Sequence, residues 1–252
     1  MNTVKQRSRQ VKQPRGGYAP LKLFDIYDFD DSIVLKEDEN VHPSIVGAAI
    51  DYLSRILFGT DKRQAFDVSF KGAHNLNKVD MAESLLSRVI NHDDDSIVAA
   101  CKLAGFDSAY RAGLSAYKPI EEINPDKATI ENIQVMLSRV ESFVERFGPI
   151  IQDGVRFDGA YTDTITDGDA DFLTEDTLWD MKVIKNKPDS KQTLQVLIYY
   201  LMGDVSNNPL FKTINKVGIF NPRLNKAYTL EVFKLGTQAL DDVLFNVIGY
   251  QH

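Results

Sequence analysis

Residues 168–184 read GDADFLTEDTLWDMKVI, and they decide both the fold and the chemistry that we expect of this chain. Successive side chains of a β-strand point to opposite faces, so Asp180 and Lys182 share one face of a predicted strand and the apolar side chains pack on the other. A hairpin through 174–176 would align this polar face with that of the preceding strand. We therefore expect Asp171, Asp180 and Lys182 to lie within reach of one point.

The residues on either side of this stretch predict a mixed α/β (α+β) chain. Over 129–147, TIENIQVMLSRVESFVERF, the apolar positions step by four and three, which is the period of a helix. The elements predicted in order are a helix at 129–147, strands at 155–165, 169–173 and 177–184, a helix at 190–202, strands at 216–220 and 227–232 and a helix at 237–248. Helices at 41–58, 81–91 and 95–104 form a helical region before them.

The charge is divided unevenly along the chain. The net charge is −7, but residues 1–24 hold six Lys and Arg side chains and no acid, so 36 acids face 23 basic side chains in the rest, which carries −13. We expect 1–24 to be a flexible basic arm, 25–128 a mainly helical N-terminal region and 129–252 the core. Two interpretations of the arm stay open: it contacts a phosphate backbone, or it is a solvated tail with chance charge.

The composition excludes several classes of protein. A single cysteine, Cys101, among 252 residues rules out an internal disulfide framework, a four-cysteine zinc site and an iron–sulfur cluster. The longest apolar stretch, 196–202, is far shorter than the roughly 20 residues of a membrane span. We therefore expect a cytoplasmic protein without a membrane partner.

Two carboxylates beside an amine suit a Mg²⁺-dependent phosphodiesterase. Mg²⁺ is typically held by one or two carboxylates, and a lysine can stabilise the charge that develops on the phosphoryl group. The alternative is a surface ion pair, which stabilises a protein little. On the following predicted helix Lys191, Gln195 and Tyr199 are spaced by four, which makes one polar stripe beside an apolar one.

These motifs together resemble a known superfamily. Gly168 to Asp171, Asp180 to Lys182 and Gln195 to Tyr199 are similar to the G-x-x-D, D-x-K and Q-x-x-x-Y motifs of the RecB-type branch of the PD-(D/E)xK nucleases. The resemblance covers roughly 129–250 and implies a restriction-endonuclease-like core of helix, three-stranded antiparallel meander, helix and further strands. The single cysteine excludes the iron–sulfur variety of this branch.

The resemblance also implies roles for particular residues. Asp171 and Asp180 would bind the metal ion, Mg²⁺ or Mn²⁺, and Lys182 would be the catalytic lysine. Gln195 and Tyr199 would line the site and contact the substrate or the lysine. The further acids implied are Glu141 from the helix at 129–147, with Glu145 as the second choice, and Asp169 as an additional candidate ligand.

The expected function is therefore a metal-dependent nuclease that hydrolyses phosphodiester bonds, with DNA ahead of RNA as the substrate. Bacterial defence, repair and mobile-element functions all stay open, as does the choice between endonuclease and exonuclease. The helical N-terminal region would shape substrate access or dock a protein partner. The alternative is a PD-(D/E)xK fold that binds nucleic acid or scaffolds proteins without catalysis.

Overall fold

The structure, a computed structural model, describes residues 2–251. These residues form two compact units, 2–29 with 144–251 and 30–143. The expected boundaries, after residues 24 and 128, thus differ from those of the structure, which follow residues 29 and 143. None of the helices in the described residues combines the length and apolar character needed to cross a bilayer.

The chain is mixed α/β. Its strands are β1 (Asn2–Thr3), β2 (Asp25–Asp28), β3 (Gln152–Val155), β4 (Ile165–Asp167), β5 (Ala170–Leu173), β6 (Thr177–Met181), β7 (Lys216–Asn221) and β8 (Lys226–Glu231). Its helices are α1 (Val4–Gln10), α2 (Pro43–Leu57), α3 (Lys62–Ala65), α4 (Asp67–Asn75), α5 (Val79–Arg88), α6 (Asp94–Ala104), α7 (Asp107–Arg111), α8 (Lys127–Phe147), α9 (Ser190–Val205) and α10 (Thr237–Asp241), which continues as a π-helix over Asp242–Ile248.

The first unit is built on a six-stranded mixed sheet in the order β2-β8-β7-β6-β5-β3. β6 is antiparallel to β5 and parallel to β7, and α9 makes the crossover that a parallel pair requires. The predicted hairpin is confirmed: Leu173 pairs with Leu178, and the amide of Thr174 donates to the carbonyl of Thr177 at 3.0 Å. β3 pairs antiparallel with β5, so β3, β5 and β6 form an antiparallel meander.

Both faces of β6 are buried, and this differs from the expected single packed face. Leu178 belongs to the apolar core that includes seven residues of α9, and Asp180, two residues on, points to the same face. On the opposite face the ring of Trp179 lies 5.0 Å from that of Phe147 and covers Gly218. All five residues of β6 are consequently buried.

The predicted strand at 155–165 is wrong over most of its length. The strand β3 ends at Val155, and the chain then turns, with the amide of Ala160 bonded to the carbonyl of Phe157 and Gly159 at a φ of +85°. A positive φ suits glycine and interrupts an extended strand. The apolar alternation continues through the turn because Phe157 and Ala160 are buried without being part of a sheet.

The basic segment 2–24 is packed onto the first unit and does not form the expected flexible arm. Val4 and Ala19 are fully buried in the apolar core, and α1 packs against α9. Arg7 donates from Nε to the carbonyl of Val247 at 2.8 Å and from Nη2 to that of Asn246 at 2.9 Å. Buried apolar side chains and directed hydrogen bonds thus hold a segment whose composition resembles that of a disordered tail.

The second unit contains α2 to α7 and most of α8. The expected helices at 41–58 and 95–104 correspond to α2 and α6, and Asp93 caps α6 by accepting from the amide of Ser96. Inside this unit the Asp107 carboxylate accepts hydrogen bonds from Tyr52 Oη at 2.5 Å and Ser69 Oγ at 2.7 Å. Burial raises the pKa of Asp107, while the two hydroxyl groups act in the opposite direction.

We expect Val4→Ala to lower the free energy of unfolding by about 1.5–3 kcal/mol, because it removes buried methyl groups and leaves a cavity. Lys5→Ala is the matched control: Lys5 is the exposed neighbour in the same helix, and its change should stay within about 0.5 kcal/mol. Urea unfolding followed by circular dichroism measures both. If neither substitution changed the free energy of unfolding, the segment would be a flexible arm and not a packed one.

Tyr52→Phe should cost about 1–3 kcal/mol at neutral pH, because it removes a donor from a buried carboxylate. That hydrogen bond lowers the pKa of Asp107, so its loss raises the folded-state pKa further above the unfolded value. The added cost should therefore develop as the pH rises through the acidic range and shrink again on acidification. Tyr110→Phe, at a half-exposed position, is the control in the same unfolding experiment. A pH-independent cost would contradict the prediction.

Candidate active site

An ion pair lies at the carboxyl end of β6. Lys182 Nζ is 2.5 Å from Asp180 Oδ2, and the exposed fractions of the two side chains are 19% and 2%. The residues are two apart in an extended segment, so their side chains start on the same face. Asp180 is buried because that face of β6 lies beneath α9, whereas Lys182, one residue beyond the strand, stays partly accessible.

Asp171 lies opposite Asp180 across the hairpin. The register pairs Phe172 with Trp179, and one further step along this antiparallel pair brings Asp171 and Asp180 face to face. Asp171 Oδ2 accepts a hydrogen bond of 2.5 Å from the amide of Met181. The side chain of Asp171 thus binds a backbone donor of β6 immediately between Asp180 and Lys182.

α9 supplies the two remaining members of the cluster. Gln195 Nε2 lies 3.4 Å from Asp180 Oδ1 and 2.9 Å from Tyr199 Oη, which is one helical turn away. The ring of Tyr199 stacks on that of Phe157 at 5.4 Å. Gln195 therefore connects the Tyr199 hydroxyl to the buried carboxylate.

The carboxylates of Asp180, Asp171 and Asp169 lie close enough to the Tyr199 hydroxyl group to affect its pKa. Burial, above all, raises the pKa of Tyr199 well above its ordinary value, and the negative charge of Asp180 adds to this effect. Asp171 and Asp169 raise it further, and the hydrogen bond from Gln195 opposes them. Tyr199 consequently stays protonated at neutral pH.

The donor set fits a divalent cation held by two carboxylates. Asp180 Oδ2 is buried and accepts no well-formed hydrogen bond from residues 2–251, although Lys182 Nζ is close to it. A buried carboxylate oxygen with unused lone pairs is a suitable ligand for Mg²⁺ or Mn²⁺, which can retain waters at other positions. Within the same residues no three His, Cys, Asp or Glu side chains converge as a metal-binding group. Asp180, with Asp171 across the hairpin, supplies the carboxylates that would hold such an ion.

The structure brings together Asp171, Asp180, Lys182, Gln195 and Tyr199. The other three candidate acids lie at exposed positions. Glu141 is exposed on α8 and belongs to the second compact unit. Glu145, also exposed on α8, makes no hydrogen bond or ion pair with a described residue, and Asp169 is exposed beside β5. Glu145 is thus not part of the cluster of five residues.

Asn221 is a member of this region that the sequence analysis did not identify. It is fully buried at the end of β7, and its Nδ2 donates to the carbonyl of Ile184 at 2.8 Å. The amide of Lys182 donates to the carbonyl of Phe220 at 2.8 Å, so two adjacent residues of β7 hold the segment that carries Lys182. An asparagine before a proline is typical of a turn, and the local sequence gives no sign of the contact with Ile184, which is distant in sequence.

Comparison of the chain with protein-family models, curated proteins and solved structures finds no match in any of the three. Membership of the PD-(D/E)xK superfamily therefore stays a prediction from the motifs.

In metal-free buffer, Lys182→Met should lower the free energy of unfolding by about 3 kcal/mol, because it leaves the buried Asp180 carboxylate without its cation. The double variant Asp180→Asn/Lys182→Met should be more stable than Lys182→Met alone, since no charge then remains to be compensated. Lys185→Met, at an exposed position three residues on, is the control. Denaturant unfolding of the wild-type protein, Lys182→Met, Asp180→Asn and the double variant measures the coupling, and additive effects would mean that the pair is not a unit.

Proposed function

We propose that this protein is a metal-dependent nuclease that hydrolyses phosphodiester bonds, with DNA as the first candidate substrate. The observation that carries the proposal is the buried Asp180–Lys182 pair at the end of β6, with the Asp171 carboxylate opposite. Two acids and an amine at one point are the groups that hydrolysis of a phosphodiester requires.

A purely structural role explains this arrangement poorly. Removing a carboxylate and an ammonium from water costs free energy that their attraction offsets only in part, and apolar residues of similar size often stabilise a core better. Apolar residues, among them Leu178 on the same face of β6 and Leu194 of α9, form the core beside the pair. The presence of this charged pair in an apolar core therefore favours a functional role.

Each residue has a task in the proposed reaction. Asp171 and Asp180 would hold Mg²⁺ or Mn²⁺, which when bound lowers the pKa of a water molecule and acts as a Lewis acid toward the phosphoryl oxygens. Lys182 is more accessible to solvent than Asp180. It donates hydrogen bonds to the phosphate or to the attacking water and offsets negative charge as it develops. Gln195 orients Asp180, and Tyr199 contributes a protonated hydroxyl at neutral pH.

The order of the elements also supports the proposal. The meander β3-β5-β6 is followed by α9 and then by β7 and β8. The resemblance described above implies a restriction-endonuclease-like core with this same order. The resemblance and the cluster of side chains are separate arguments, because the first rests on motif order and the second on distances.

We expect the wild-type protein to cleave DNA when Mg²⁺ or Mn²⁺ is added, and Asp180→Asn and Lys182→Ala to lower the cleavage rate roughly 100-fold or more. Gel assays on linear, circular and single-stranded DNA and on RNA measure the rate and distinguish endonuclease from exonuclease activity. Asp241→Asn and Lys185→Ala, both at exposed positions, are the matched controls and should retain activity. Circular dichroism checks that every variant is folded.

Inactivity of the wild-type protein on all four substrates with both metals would overturn the nuclease proposal. It would leave the non-catalytic module, which binds nucleic acid or a protein, as the remaining interpretation. Full activity of folded Lys182→Ala would instead overturn the role of the lysine.

A further inference from the structure

The N-terminal segment contacts the beginning of α9. Gln13 Nε2 donates to the carbonyl of Ser190, the first residue of α9, at 2.9 Å. Gly17 lies so close that a Cβ atom added there would be 3.0 Å from Ser190 Cβ. Residues distant in sequence thus meet at one end of this helix.

Four exposed basic side chains are placed around this contact. Lys12 and Arg15 flank Gln13 on the N-terminal segment, and Lys187 and Lys191 lie on either side of Ser190. We name these four residues the α9 basic cluster. Asp189 lies among them. Its carboxylate accepts hydrogen bonds from the backbone amides of Lys191 and Gln192 at the start of α9.

The α9 basic cluster differs from those lysines of the first unit that form ion pairs. Lys216, Lys226 and Lys234 each pair with an aspartate. Within residues 2–251 no member of the α9 basic cluster has an acidic side chain within 4.0 Å. Four positive charges without acidic partners are therefore concentrated on a chain whose net charge is −7.

The cluster lies on the path that leads from the candidate active site to the start of α9. Lys191, Gln195 and Tyr199 are spaced by four residues, so they lie on the same face of the helix, with about 6 Å of axial rise between neighbours. Gln195 contacts Asp180, and Lys191 is one turn nearer to the N-terminus of the helix. Lys187 belongs to the short connection between Lys182 and α9.

We propose that the α9 basic cluster binds the phosphodiester backbone of a nucleic acid and guides the strand toward Asp180 and Lys182. Unpaired lysine and arginine side chains bind phosphates without regard to sequence and release counterions, which makes the binding depend on salt. The guiding role rests on the proposed nuclease function, whereas the binding role does not.

The test measures binding in the absence of metal, so that it does not depend on cleavage. The full chain in EDTA is titrated into a fluorescein-labelled single-stranded DNA and into its duplex, and fluorescence anisotropy is followed at several NaCl concentrations. The variant Arg15→Ala/Lys191→Ala should bind more weakly, and its plot of log affinity against log salt should be shallower by about 1.5, because two phosphate contacts are lost. Thermal melts establish that the variant is folded.

Lys212→Glu is the control with the same change in net charge. Lys212 is exposed and follows Phe211, whose ring lies against Gly203, about 20 Å along α9 from Ser190. Its salt dependence should match that of the wild-type protein, because no phosphate contact is removed.

The outcomes separate the two proposals. A shallower slope for the double variant alone supports the α9 basic cluster, even if the protein proves unable to cleave DNA. Equal slopes for the two variants, or no binding by the wild-type protein, overturn it, even if cleavage is found. Binding to phosphatidylserine-containing vesicles but to neither DNA would also overturn it.

Discussion

The packing of α9 across the centre of the sheet is the constraint on which the rest of this structure depends. α9 joins the parallel strands β6 and β7, so it covers the same face of both, while Trp179 and its aromatic neighbours cover the other face of β6. Because the strand is buried on both faces, the side chain of Asp180 near its end is only 2% exposed to solvent. The position of Asp180 therefore requires Lys182 and Gln195 as its neighbours. α9 itself supplies Gln195, and the segment after β6, which β7 holds in place, supplies Lys182.

The same helix organises the charge of the first unit. Its middle lies over the acidic cluster of Asp171 and Asp180, and its first residue, Ser190, contacts the basic N-terminal segment. Two acids and a basic segment of the chain are therefore arranged along one element. For a polyanionic ligand this order matters more than the net charge, because a local field steers association even when the whole protein is negative.

Local periodicity predicted much of the fold, and contacts between distant residues account for the remainder. The helices at 129–147 and 190–202 and the hairpin at 174–176 follow from patterns within a few residues, and the structure contains all three. The strand expected at 155–165 fails because burial of Phe157 in a turn imitates strand alternation. The composition of the N-terminal segment predicts its charge but not the site at which Val4 is buried. The alternation of polar and apolar residues in β6 predicts the face on which Asp180 lies but not the helix that covers this face.

The first unit is discontinuous in sequence, and this has a consequence for the order in which the chain folds during synthesis. Residues 2–29 leave the ribosome long before β5 to β8 and α9, against which they pack, have been made. The second unit is one continuous segment, 30–143, so it can fold while the first still lacks most of its core. Until the sheet is complete, Val4 and β2 lack their partners, and the early chain exposes an unpaired strand that chaperones or a protease can reach.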